Sequence, residues 1–108
     1  MAIKAERGSV TGNTASDAIE VGALGDGAVR SGPRTLGVWS SSWNGATATL
    51  QWSPDGSTWI DFVDAEGTAV AFTANAIRVM EVYHGSIRLN VTGGGSPEQT
   101  IEYSITDE

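Results

Sequence analysis

The sequence predicts an all-β protein, a small antiparallel β-sandwich or jelly roll with an extended N-terminal arm. Three observations predict it. Segments after Thr35 alternate apolar and polar residues, Gly, Pro, Asn and Asp clusters separate them at short intervals, and none sustains apolar residues at three-and-four spacing beyond about two helical turns. The length of 108 residues suits one domain, and 40% hydrophobic residues suffice for one compact core. The 14 glycines favour short strands and many turns, so that core should be thin.

Residues 1–34 read as the arm and residues 35–108 as the sandwich. The stretch 8–34 mixes Gly, Ser, Thr, Asn and Asp. Its alternation at Ala18-Ile-Glu-Val21 allows one short strand, which the glycines at 22, 25, 27 and 32 keep from extending. Thr47-Ala-Thr-Leu-Gln-Trp52 alternates strictly and puts Ala48, Leu50 and Trp52 on one face. The turn at 53–58 has a mechanism: Pro54 presets φ, Asp55 can bond its own backbone, and Gly56 tolerates positive φ. Trp59-Ile-Asp-Phe-Val63 returns as a partner strand whose buried face depends on register. In Ala76-Ile-Arg-Val-Met-Glu-Val82 the expectation is Ile77 and Val79 inward and Arg78 outward, followed by a tight turn at Tyr83-His-Gly-Ser86. Ser86-Ile-Arg-Leu-Asn-Val-Thr92 places Ile87, Leu89 and Val91 inward, and Gly93-Gly-Gly-Ser-Pro97 ends it. Thr100-Ile-Glu-Tyr-Ser-Ile-Thr106 closes the chain with Ile101, Tyr103 and Ile105 on one face.

Charge narrows the function. Thirteen acidic against six basic residues give a formal −7, and Lys4, Arg7, Arg30, Arg34, Arg78 and Arg88 are scattered, which is no footprint for a phosphate backbone. Residues 1–34 sum to zero, so the rest of the chain carries the whole negative charge. Without cysteine there is no disulfide, thiol nucleophile or Cys-based metal site. No stretch approaches the roughly 18 apolar residues of a membrane span, and the opening residues lack the apolar run of a signal peptide. The expectation is a chain made and kept soluble.

Catalytic equipment is sparse. His84 is the single histidine and falls in a predicted turn, and no G-x-S-x-G elbow accompanies it. Asp61, Asp64 and Glu66 fall within six residues, as a calcium site or glycosidase pair could require, but lack the EF-hand spacing and read better as a solvated hairpin end. Gly93–Gly95 lacks the Lys-Ser/Thr and helix of a phosphate-binding loop and reads as a turn. Of four tryptophans, Trp52 is assigned to the core and Trp59 is left open between core and surface, while Trp39 and Trp43 flank Ser40-Ser-Ser42 near a strand end. The Ser-rich bend makes Trp43 the expected partner contact. No catalytic, cofactor-binding or metal-binding residue is assigned, and the chain reads as a non-enzyme.

Two resemblances refine this. Ser53-Pro-Asp-Gly-Ser-Thr-Trp59 resembles the Asp-box hairpin S-x-D-x-G-x-T-W of sialidase-like propellers, one residue short between Asp55 and Trp59; such a box implies a structural hairpin. More broadly, residues 45–106, through Gly-Ala-Thr-Ala-Thr-Leu-Gln-Trp-Ser-Pro-Asp-Gly-Ser-Thr-Trp and then Ile87-Arg-Leu-Asn-Val-Thr-Gly-Gly94, are similar to small β-domains of tailed-bacteriophage virion proteins that serve as head decoration or cement proteins, head fibres and tail accessories. The resemblance implies a non-enzymatic capsid decoration protein in many copies on the outside of a head shell. Its partners would be the major capsid protein or another virion subunit and further copies of itself, with neither nucleic acid nor membrane. Its place would be the virion, assembled in the host cytoplasm.

Docking is expected from the arm, through Ile3, Lys4, Arg7, Ile19, Val21, Arg30 and Arg34, together with Trp43. The alternative is a carbohydrate-binding module for host-surface or head-fibre adhesion, with Trp39 and Trp43 as a stacking platform and Asn44 or Asp55 bonding sugar hydroxyls.

Overall fold

A computed structural model describes residues 5–21, 32–64, 66–82, 85–96 and 98–106, with the side chains of Ala5, Glu20, Val21, Pro33, Arg34, Glu81 and Val82 outside that description. The fold is all-β and antiparallel. Among the described residues nine strands form: β1 (Ala5–Thr11), β2 (Ile19–Val21), β3 (Gly32–Trp39), β4 (Thr47–Ser53), β5 (Ile60–Asp61), β6 (Ala71–Phe72), β7 (Ala76–Val82), β8 (Gly85–Thr92) and β9 (Thr100–Thr106). One sheet runs β1-β9-β3-β7, and the other runs β2-β8-β4-β5 with β6 also paired to β4.

Alternation builds the core between them. Val38, Leu36, Ile101, Tyr103 and Ile105 of the first sheet share one buried cluster with Ala48, Leu50, Ile87, Leu89 and Val91 of the second. The inward faces expected for β4, β8 and β9 are therefore those observed, with Trp52 partly buried against the cluster. Before β4 the chain reverses at Asn44-Gly45, both with positive φ (48° and 80°), and the Ala46 N–H donates to Trp43 O at 2.8 Å. Asn and Gly tolerate that left-handed geometry better than any other pair.

Three segments differ from their sequence reading. The sequence sets 1–34 apart as an arm, yet its β1 is hydrogen-bonded along β9 and its β2 along β8, and β3 begins inside it at Gly32. Val10 is buried in the core, and Ile19 packs against it. Gly8 makes this docking close: a Cβ there would lie 2.5 Å from the Tyr103 hydroxyl, so only a bare backbone lets that ring lie beneath β1.

The return strand expected over 59–63 is shorter. Ile60–Asp61 pair with β4; Phe62 donates its N–H to Leu50 O at 2.9 Å and packs on the core, Val63 bridges Ala69, and β6 completes the edge by pairing with β4.

In β7 the expected faces are reversed. Leu36 is directly paired with Arg78 and Gly37 with Ile77, and paired residues lie on the same side of a sheet. With Leu36 and Met80 buried, Arg78 turns inward at the margin and donates from Nη2 to Asp64 Oδ2 at 2.7 Å. Ile77 and Val79 are left outside, 75% and 69% exposed.

Candidate functional site

Two carboxylates, Asp55 and Asp64, hold loops together. Asp55 Oδ1 accepts from the Ser57 and Thr58 N–H groups at 2.8 Å each and from the Ser53 hydroxyl at 3.0 Å. The buried Ser53 oxygen in turn accepts from the Asp55 and Gly56 N–H groups. The Thr58 N–H, followed by that of Ser57, holds the Asp55 carboxyl below its ordinary pKa. Asp64 Oδ1 accepts from the Glu66 and Thr68 N–H groups, and the Thr68 bond is the largest cause of its lowered pKa. Asp61 instead accepts from Gln51 Nε2 at 3.1 Å. Among the described residues no three acidic or histidine side chains come together to hold a metal. His84 lies outside the described residues.

The tryptophans separate by role. Trp43, the expected contact, packs against the core with its indole N–H donating to Asn75 Oδ1 at 2.8 Å, and Asn75 Oδ1 also accepts from the Ser40 N–H. Trp59 is half-buried and lies under Arg88, whose guanidinium carbon sits 4.3 Å from the ring centroid. Arg88 Nε donates to Gln51 Oε1 at 2.8 Å, so an Asp61–Gln51–Arg88–Trp59 row crosses the outer face of the second sheet. A partly open recess lined by Ser16, Leu36, Leu50, Ile87 and Tyr103 holds about 10 Å³, room for no more than about one water.

Apolar surface collects elsewhere. Trp39, 39% exposed, points from the end of β3 to the outside of the first sheet. The site where a Gly37 side chain would start is 3.9 Å from its ring, so the indole runs back over that bare position. Across the pairing, Gly37 faces Ile77 and Thr35 faces Val79. Trp39, Ile77 and Val79 thus form a strip along β7, the outermost strand of that sheet, bounded on the β9 side by exposed Glu102 opposite Trp39.

Of the residues expected to dock, the described side chains of Arg7, Ile19 and Trp43 lie away from this strip. Arg7 is exposed on β1 at the far edge of the same sheet, and Ile19 is half-buried against the core. Ile3, Lys4 and Arg30 lie outside the described residues, as do the side chains of Val21 and Arg34. Sequence reasoning missed Ile77 and Val79 because alternation states two faces without saying which is inner. Met80 on the same parity as Arg78 was the available signal.

No family model matches the chain, and no curated protein does. A solved structure, that of a mitogen derived from Yersinia pseudotuberculosis, is similar in fold with a TM-score of 0.58 at 16% identity, covering 99% of this chain and 86% of that one.

Proposed function

We propose that this protein is a non-enzymatic structural component of a bacteriophage virion, a decoration (cement) protein that binds the outside of the head shell and stabilises it. One observation supports the docking part of this reading: the Trp39, Ile77 and Val79 strip, apolar and exposed on a chain of formal charge −7. Neighbouring exposed apolar side chains on a small soluble domain mark a contact surface, because water leaves them when a partner arrives. The phage assignment comes from the sequence resemblance over residues 45–106. The partner is the major capsid protein or another virion subunit, with the strip as a docking element.

Cosedimentation of the purified protein with undecorated tailed-phage head shells tests it. Saturable binding with greater heat resistance of the shells is expected, and an Ile77→Lys, Val79→Lys variant should remain folded and fail to bind. Absence of binding by the unaltered chain would overturn the reading.

A carbohydrate-binding module is the second reading, favoured by the exposure of Trp39 alone, since Trp43 is committed to Asn75 and Asp55 to its own loop. A shift of tryptophan emission on adding polysaccharide, lost in Trp39→Ala, would support it.

A further inference from the structure

We propose that β7 pairs with β7 of a second copy, antiparallel and centred on Arg78, joining two four-stranded sheets into one of eight strands. β7 is seven residues long, pairs with β3 on one side, and pairs with no described residue on the other. An edge of that length carries a row of backbone donors and acceptors, and edges are ordinarily blunted by proline, lysine or a bulge. Ala76-Ile-Arg-Val-Met-Glu-Val82 contains neither proline nor lysine, and its register against β3 runs without a bulge from Val82 to Ala76.

The self-complementary flanks of Arg78, Ile77 and Val79, select a second copy as the occupant, and local charge permits it. A chain at −7 repels itself over most of its surface, so self-association needs a locally neutral strip. Here the one charge at the centre, Arg78, is already matched by Asp64 of its own chain at 2.7 Å. Two copies meeting at Arg78 bring together two neutral pairs rather than two bare cations.

The twofold centred on Arg78 sets Ile77 of each copy opposite Val79 of the other on the outer face, and Ala76 opposite Met80 on the inner one. Both exposed side chains then find an apolar cross-strand partner. The alternative centre at Val79 would oppose Ile77 with Glu81, an apolar residue against a charge. Pairing at Arg78 also sets the two Trp39, Ile77 and Val79 strips side by side, doubling the apolar surface turned to one side. Dimerisation needs no shell, so it stands or falls apart from the docking reading.

The chain has no cysteine, which makes cross-linking clean. Ile77→Cys and Val79→Cys are prepared separately, checked for native circular dichroism, and oxidised alone and as an equimolar mixture. Directly opposed residues in an antiparallel pair have Cα atoms about 4.5 to 5.5 Å apart, within disulfide reach. Residues of one kind, two positions off, lie at about 7 to 8 Å, beyond it. The mixture should therefore give disulfide dimer at about tenfold the yield of either variant alone. Equal yields in all three samples, or none, would overturn the proposal. Sedimentation of the cysteine-free chain provides a second reading: its apparent mass should rise with concentration and that of Val79→Lys should not, whereas identical behaviour would count against the pairing.

Discussion

Leu36 and Arg78 stand directly opposite each other across β3 and β7. Since Leu36 is buried, this one pairing decides which side of β7 is wet: Arg78 shares the inner side and reaches Asp64 at the margin, and Ile77 and Val79 go out. An arginine can occupy that place because its methylene stem lies along apolar surface while its head finds a carboxylate.

The first prediction follows from the faces of β7. Met80→Ala should destabilise the fold by about 2 to 5 kcal/mol, the range for emptying a core position. Measured at a dilution where the chain is monomeric, Ile77→Thr with Val79→Thr should change it by no more than about 0.5 kcal/mol, as exposed substitutions do. Urea unfolding of both variants checks the assignment, and a reversed order of midpoints would restore the opposite face.

A second prediction concerns Gly8. Adding a methyl group there forces it against the hydroxyl of Tyr103, a ring 6% exposed and held between β1 and the core. Gly8→Ala should cost about 1 to 3 kcal/mol, as overpacking does, and Gly8→Ala with Tyr103→Phe should recover part of it. Ser9→Ala, one step along on the exposed side, should be nearly silent. Equal unfolding midpoints for Gly8→Ala and Ser9→Ala would refute the close approach.

How much of this was legible in the sequence depended on where the partner of each residue lies. β4, β8 and β9 declare their faces because each sets three apolar residues against polar ones, and their burial follows that order except at the end of β4, where Trp52 is partly buried and Ser53 is buried. β1 declares little. It supplies one buried apolar residue, Val10, and its remaining fit depends on Gly8 lying over Tyr103, some ninety positions away. β7 reads with Ile77 and Val79 inward, and the pairing with Leu36, also distant in sequence, reverses those faces. For the site, the Ser-rich bend around Trp43 argued for exposure, but the Asn75 side chain turns inward on that bend and holds both Ser40 N and Trp43 Nε1. Trp39 took the exposed place because the face of β3 opposite Val38 has no core to meet.

Arg88 and Trp59 give the third prediction. The guanidinium 4.3 Å from the indole centroid covers that ring, and Gln51 fixes it from the side. Arg88→Ala should raise the acrylamide quenching of tryptophan emission and red-shift it, while lowering stability by about 0.5 to 1 kcal/mol, the worth of a surface cation–π contact. Gln51→Ala, which frees Arg88 without removing it, should show a smaller quenching change. Emission and quenching unchanged in Arg88→Ala would mean that Trp59 is shielded by something else.

The last prediction is a pH dependence. Asp55 has its carboxyl pKa lowered in the folded state, chiefly by the Thr58 and Ser57 N–H groups, from an ordinary value of 3.8. A carboxylate with a depressed folded pKa contributes stability that is present above the unfolded value and is lost as pH falls through the folded one. The loss therefore belongs to the acid side, below pH 3.8, and nothing from Asp55 changes near neutrality. In Asp55→Asn the amide oxygen can still accept from the two N–H groups but no longer titrates. That variant should show a shallower fall of the urea midpoint between about pH 5 and about pH 2 than the unaltered chain. Asp64→Asn removes the charge facing Arg78 as well, so it should start lower at pH 7 and also fall less steeply. If Asp55→Asn follows the same acid curve as the unaltered protein, the loop hydrogen bonds do not favour the ionised form, and the Ser53–Thr58 turn is held by its backbone alone.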